Sequence, residues 1–152
     1  MSRAFVKESD GVEDLPDRLI STHANLVTVD GLARIEAEVA ALSHAYAEAQ
    51  AASDRDKLAA IARDLRYWTA RRASAEVVAQ PIDTNHVQFG STVTLARSDG
   101  RKQTYRIVGE DEADPAKGTL SWVSPLAHQL QGRRVGDEVA AGAFTFEIEA
   151  IG

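Results

Sequence analysis

The sequence contains no cysteine, which excludes a disulfide framework and any thiolate metal site. It has no apolar run near the roughly 20 residues that a membrane-spanning helix needs, and its first residues lack the apolar core of a signal peptide. Positive charge is scarce, because 17 Lys and Arg stand against 23 Asp and Glu for a net charge of -6. This balance argues against non-specific coating of nucleic acid. We therefore expect an unprocessed cytoplasmic protein whose partner is another protein and not a membrane.

Signatures of an independent enzyme are also missing from the sequence. The histidines are scattered, without the spacing of metal ligands, at His23, His44, His86 and His128. The sequence contains no glycine-rich phosphate loop and no nucleophile elbow. We therefore predict that the chain has no catalytic residue and no cofactor of its own.

Two series of apolar residues follow a polar N-terminal stretch. Residues 1–26 carry Gly11, Pro16 and several acids, which predicts an extended arm. From Leu32 onward, apolar residues recur at alternating spacings of three and four, which predicts a helix that begins near Thr28. The same spacing runs from Leu58 to Ala75, after a break where Ser53 and Asp56 form an imperfect capping box. The pattern predicts an antiparallel coiled-coil hairpin over residues 27–79.

The two predicted arms have similar lengths, so their apolar stripes can bury one another. Each arm would measure about 35 Å, which places the turn near Ser53 at the far end of the hairpin. The alternative is a helical pair that lies flat on the C-terminal domain, which the alanine-rich arms permit. Trp68 falls on the apolar stripe, which favours a packing role over base stacking.

The pattern changes after Val78, and residues 80–152 read as a small antiparallel sheet with one short helix. The predicted strands are Ser91–Ala96, Gln103–Val108, Thr119–Val123 and Phe144–Ile151. Ser124 and Pro125 form a capping hydroxyl followed by a first-turn proline, and Gly132 ends the helix. The whole chain is therefore predicted to be an α+β protein.

Several uncommon short sequence motifs occur in a fixed order within this C-terminal region. They are Phe89-Gly90, Tyr105-Arg106-Ile107-Val108-Gly109, Glu112-Ala113-Asp114, Ser124-Pro125-Leu126 and Val135-Gly136-Asp137. In these motifs the sequence resembles the GreA/GreB family of bacterial transcription elongation factors. The resemblance implies an FKBP-like C-terminal domain that docks on RNA polymerase at the rim of its secondary channel, while the coiled coil enters that channel. It also implies that Ser124 and Pro125 bind the polymerase. Glu112 and Asp114 belong to an acidic run that can complement basic groups on this partner, and the alternative is a solvated loop.

In that family an acidic pair at the hairpin end helps to hold an Mg²⁺ ion that is shared with the polymerase active site. The resemblance makes Asp54 and Asp56 the candidate metal ligands, since hard Mg²⁺ prefers carboxylate oxygen. This segment departs from the family pattern, however, and each arm is about ten residues shorter, which is about 15 Å of reach. Acids in a first helical turn are also favoured by the helix dipole whatever the function.

Basic side chains gather on the second predicted helix. Arg55, Arg63 and Arg66 fall roughly on one face, where they can meet nascent RNA phosphates or acidic channel walls. The alternative is a solvated face whose arginines pair with acids such as Asp64.

We predict a monomeric factor that binds RNA polymerase at the secondary channel and regulates elongation. The favoured mechanism is competition with other regulators that bind the channel. Stimulation of RNA cleavage by the polymerase is the second hypothesis, with the chain as an accessory factor. A third hypothesis is a protein like the regulators of nucleoside diphosphate kinase, which share the sheet domain and a short coil.

Overall fold

The computed structural model describes residues 14–152, so residues 1–13 of the predicted arm lie outside the described residues. The described chain forms two compact units, and each is discontinuous in sequence. We call residues 14–22 and 35–74 the hairpin unit, and residues 23–34 and 75–152 the sheet unit. The predicted boundaries at 26/27 and 79/80 follow chain order, whereas the compact units interleave. Within residues 14–152, no helix is both long and apolar enough to cross a membrane.

The predicted pair of helices is confirmed. Helix α1 spans Val29–Ala51 and helix α2 spans Arg55–Ser74. The apolar side chains of α1 that the periodicity singles out at Ile35 and Val39 are buried. Trp68 on α2 is half-buried and meets the ring of Tyr67 edge-on, with the ring centroids 5.1 Å apart. The contact with the Tyr67 ring therefore explains at least part of the burial of the Trp68 side chain.

The residue that caps α2 differs from the predicted one. The side chain of Asp54 accepts a hydrogen bond from the backbone N–H of Lys57 at 3.2 Å, so Asp54 is the N-cap. Ser53 instead has a positive φ of 56° and ends α1. The predicted capping box from Ser53 to Asp56 is wrong because the left-handed backbone at Ser53 shifts the start of α2 by one residue.

The sheet unit contains a five-stranded sheet in the order β5-β4-β3-β7-β6. Its strands are β3 (Thr92–Arg97), β4 (Lys102–Val108), β5 (Thr119–Ser121), β6 (Glu138–Ala141) and β7 (Phe144–Ile151). The predicted α+β class is confirmed, but the sheet is mixed and not purely antiparallel, since β5 runs parallel to β4. The physical reason is the connection between them, in which two short 3-10 helices return the chain to a position beside Arg106, so that β5 starts in the same direction as β4. Strand β6 was not predicted.

A second, smaller sheet pairs two short segments that the sequence did not reveal. Strand β1 (Leu26–Val27) lies parallel to β2 (Glu76–Val77). The pairing extends on both sides, because Glu76 N–H donates to the Asn25 carbonyl and Val78 N–H donates to the Val27 carbonyl. Through this pairing, the residues that flank the two helices belong to the sheet unit.

The core of the sheet unit follows the alternation of the strands. Helix α3 (Pro125–Leu130) covers the sheet and contributes two buried residues. The buried cluster comprises Val87, Val93, Leu95, Ile107, Leu120, Ala127, Leu130, Val139, Phe146 and Ile148. A register shift at Thr94/Leu95 interrupts the pairing of β3 with β7. These contacts fix the position of the N-terminus of α3.

The turn at residues 98–100 joins β3 to β4 and is held by an ion pair. Arg97 donates from Nε and Nη2 to the carboxylate of Asp99, at 2.9 and 2.6 Å. These hydrogen bonds lower the pKa of Asp99 to about 2, and the Arg101 backbone N–H adds to the effect. The guanidinium of Arg97 also lies 4.1 Å from the centroid of the Phe144 ring on β7. The turn is thereby tied to the neighbouring strand.

Candidate functional site

The predicted helix start at Ser124 is confirmed and forms the centre of the first candidate site. Ser124 has an extended backbone, and its hydroxyl accepts a hydrogen bond from the Ala127 N–H at 3.3 Å. Its own N–H donates to the Ser121 carbonyl at the end of β5, at 3.0 Å. Pro125 occupies the first turn of α3 and is exposed. The turn therefore presents a rigid apolar ring at the surface of the sheet unit.

A cleft of about 440 Å³ opens next to this turn. It is lined by His23, Leu26, Phe89, Trp122, Val123, His128 and Gln131. The Trp122 ring meets His23 edge-on at a centroid distance of 6.0 Å. The Trp122 Nε1–H is buried and has no hydrogen-bond partner within the described part of the chain. The cleft can therefore take an apolar side chain. Sequence reasoning missed it, because His23 and Leu26 are distant in sequence from Trp122.

Glu112, predicted to bind the polymerase, lies inside the sheet unit. The residue is 6% exposed, and its carboxylate accepts hydrogen bonds from the Thr28 N–H at 2.9 Å and the Gly109 N–H at 3.1 Å. The Thr28 hydroxyl donates to the same carboxylate. The carboxylate thus joins the start of α1 to the turn after β4. It is not presented at the surface, because internal donors surround it.

Asp114 keeps a partly exposed position in the same acidic run. Its backbone N–H donates to the Thr119 hydroxyl at 2.7 Å, and its carbonyl accepts from the Lys117 N–H. Its carboxylate makes no capping hydrogen bond to the 3-10 turn that follows. Of the two predicted acidic contacts in this run, Asp114 is therefore the one whose side chain remains available.

The second candidate site lies in the hairpin unit, where α2 begins. One carboxylate oxygen of Asp54 caps α2, and the other lies 4.0 Å from the Lys57 ammonium. Asp56 is exposed and makes no hydrogen bond or ion pair within residues 14–152. In that same range no group of three or more histidine or acidic side chains is placed to hold a metal ion. Asp54 is therefore engaged at the helix start, whereas the Asp56 carboxylate has no such contact with the described residues.

The basic residues of α2 have different surroundings. Arg55 is exposed at the first position of the helix, and Arg63 Nε donates to Asp64 at 3.1 Å. Arg66 binds the N-terminal segment, because its Nε donates to Asp17 at 2.5 Å and its Nη2 donates to the Leu15 carbonyl at 3.1 Å. The predicted common face is thus partly occupied by the chain itself.

Arg18 completes this contact between the N-terminal segment and α2. It lies 3.5 Å from Asp64 and 3.9 Å above the centroid of the Tyr67 ring. Sequence reasoning missed both ion pairs. A signal was present in the opposite charges of Asp17-Arg18 and of Asp64 with Arg66, but charge alone does not select one pairing among many.

Comparison with known proteins relates the chain to a family. Residues 82–152 match the family described as "Transcription elongation factor, GreA/GreB, C-term". Transcription elongation factor GreA of Desulfovibrio desulfuricans is 33% identical over 150 residues, which cover 87% of this chain and 91% of that protein. Transcription elongation factor GreB of Neisseria meningitidis is 49% identical over 81 residues, so the chain spans about half the length of that relative, 50%.

Among solved structures, GreA factor homolog 1 of Thermus thermophilus is 20% identical and has a TM-score of 0.42. That match covers 86% of this chain and 99% of the other. The sequence relationship rests on the GreA of Desulfovibrio desulfuricans, which the chain matches over nearly its whole length, and on the family match of the sheet unit. The chain belongs to the GreA/GreB family of transcription elongation factors.

Proposed function

We propose that this chain binds RNA polymerase at the rim of its secondary channel and regulates transcription elongation as an accessory protein. One observation carries the proposal: the chain is 33% identical to a transcription elongation factor and covers 91% of its length. Docking is assigned to the sheet unit and the regulatory effect to the hairpin unit.

The docking surface is the Ser124 turn with its neighbouring cleft. Pro125 is exposed and rigid, so ordering it on a partner costs little conformational entropy. The Trp122 side chain lines the cleft beside this turn and supports the assignment. Tryptophan is also among the residues that most often dominate protein interfaces.

The effect we favour is occupancy of the channel without stimulation of RNA cleavage. Cleavage would require the hairpin acids to share an Mg²⁺ ion with the polymerase. Asp54 is held as the cap of α2 and lies near Lys57, which leaves Asp56 as the single uncommitted acid of the pair. We therefore propose that the chain competes with cleavage factors for the channel.

An assay on a stalled, backtracked elongation complex tests this function. We expect the wild-type chain to bind the complex, to leave the RNA uncleaved and to displace a cleavage-competent GreB in proportion to its concentration. The matched variant is Asp54→Ser with Asp56→Ala, because serine keeps the cap while both carboxylates are removed. We expect this variant to compete as well as the wild type.

Two outcomes would change the proposal. If the wild-type chain stimulates cleavage and the double variant does not, the chain is a cleavage factor and the competitor hypothesis is wrong. If neither protein binds the elongation complex, RNA polymerase is not the partner. Activity would then be sought on nucleoside diphosphate kinase, as in the third hypothesis.

A further inference from the structure

The N-terminal segment of this chain lies on the basic face of its own helix α2. Asp17 pairs with Arg66 at 2.5 Å, and the Leu15 carbonyl accepts from the same guanidinium at 3.1 Å. The two acceptors are two residues apart on a segment without helix or strand. A guanidinium that binds a carboxylate and a nearby backbone carbonyl recognises an extended acidic peptide, because its donors point in two directions.

The second anchor of the segment has the complementary chemistry. Arg18 lies 3.5 Å from Asp64 and 3.9 Å above the Tyr67 ring. The adjacent acid and base of the segment therefore pair with a base and an acid of α2, respectively. The two residues that follow, Leu19 and Ile20, remain exposed, at 96% and 47%. The segment is thus attached at two adjacent side chains and not by apolar burial of the residues that follow them.

These anchors are weak enough to exchange. The side chains of Asp17 and Arg66 are 73% and 44% exposed, and those of Arg18 and Asp64 are 40% and 30% exposed. An exposed ion pair shifts an equilibrium by no more than about fivefold. Salt weakens it further. A partner with more than one acidic group can therefore displace the segment.

An open groove of about 550 Å³ adjoins the same arginine. Arg66 lines it together with apolar or small side chains that include Tyr46, Leu65 and Ala73. A peptide bound at Arg66 therefore has an apolar surface beside it. The groups that Arg66 already holds are a carboxylate and a backbone carbonyl, which are the acceptors of an acidic polypeptide and not of a nucleic acid.

We propose that Arg66 and the adjoining groove form a docking surface for an extended acidic polypeptide of a partner protein, and that residues 15–18 are an internal competitor for it. This surface lies in the hairpin unit and is separate from the docking surface at Ser124. The internal segment lowers the affinity of the surface for its partner, and loss of the Asp17 carboxylate raises it.

The test measures binding of fluorescently labelled poly-L-glutamate to the full-length chain by anisotropy at low salt. We expect Asp17→Asn to bind about fivefold more tightly than the wild type, since one exposed ion pair no longer competes. The matched control is Asp14→Asn, which removes the same charge from the same segment. Asp14 is exposed and makes no ion pair within residues 14–152, so this variant should bind like the wild type. Adding Arg66→Gln to Asp17→Asn should abolish the gain.

Several results would overturn the proposal. An equal gain in affinity for Asp14→Asn would show that the effect comes from net charge alone. A gain in affinity that persists with Arg66→Gln would show that Arg66 is not part of the binding surface. Failure of poly-L-glutamate to bind any variant would exclude the surface. Tighter binding of a single-stranded uridine oligonucleotide than of poly-L-glutamate to Asp17→Asn would show that the surface serves RNA and not an acidic polypeptide. Polymerase is absent from every arm, so these outcomes are independent of the proposed function.

Discussion

At the scale of single residues, Ser53 occupies a position that usually belongs to glycine. Its φ of 56° lies in the left-handed region. The Asp54 N–H donates to the Ala49 carbonyl and the Ser53 N–H donates to the Gln50 carbonyl, which together complete a Schellman motif at the end of α1. A side chain with a Cβ pays a steric cost in this conformation, whereas glycine does not.

We therefore predict that Ser53→Gly raises the free energy of unfolding by about 0.5–1 kcal/mol, after the larger unfolded-state entropy of glycine is subtracted. Denaturant unfolding followed by circular dichroism measures the change. The control is Ala52→Gly, because Ala52 is also exposed and precedes Ser53 but has no positive φ. That variant should be destabilised by about 0.5–1 kcal/mol. Stabilisation by both changes would contradict the explanation.

At the scale of elements, a residue distant in sequence completes the capping of α1. Thr28 is the N-cap, since its hydroxyl accepts from the Gly31 N–H at 2.9 Å. In a local capping box, an acidic residue three positions later would accept the N-cap N–H. Here Glu112 accepts that N–H, at 2.9 Å, and position 31 is a glycine. A Cβ on Gly31 would lie 2.2 Å from the Glu112 carboxyl carbon.

This arrangement predicts a change of sign between two backgrounds. Gly31→Ala in the wild-type chain should lower the free energy of unfolding by about 1–3 kcal/mol, because the new methyl group overlaps Glu112. In a Glu112→Ala background the same substitution should be stabilising by about 0.5–1 kcal/mol, since alanine has the higher helix propensity. Urea unfolding of the four chains measures both effects. Equal effects of Gly31→Ala in the two backgrounds would exclude the contact with Glu112.

Elements with clear periodicity or a local capping signal were predictable from the sequence, and three short strands without either were not. Helix α1 begins one residue after Thr28, as its apolar spacing predicted, and β7 (Phe144–Ile151) has the predicted bounds. Strand β6 was missed because Glu138–Ala141 is four residues long and ends in two alanines, and β1 and β2 have only two residues each. Two-residue strands contain no alternation, and the alanines of β6 leave its alternation without contrast between apolar and polar side chains.

At the scale of the whole molecule, the sequence identified the motifs that contain the candidate site residues, but it did not predict the environment of each residue. Ser124 was predictable because a helix cap is a local feature. Glu112 was misplaced because its donors at Thr28 are 84 residues away in sequence. The pairing of Asp17 with Arg66 spans 49 residues and was missed for the same reason. A helix cap can be predicted from residues that are adjacent in sequence, whereas burial and ion pairing between distant residues depend on the folded chain.

The proposed docking surface predicts that a charge placed on α3 separates polymerase binding from folding. Pro125→Glu puts an acid in the first turn of α3, where the helix dipole tolerates it, so the sheet unit should keep its stability. Affinity for RNA polymerase should fall at least about tenfold, because a carboxylate would be desolvated in the interface. The control is Ala143→Glu, which adds the same charge at an exposed residue between β6 and β7. Equal binding by the two variants, measured by fluorescence anisotropy with labelled chain, would contradict docking through the Ser124 turn.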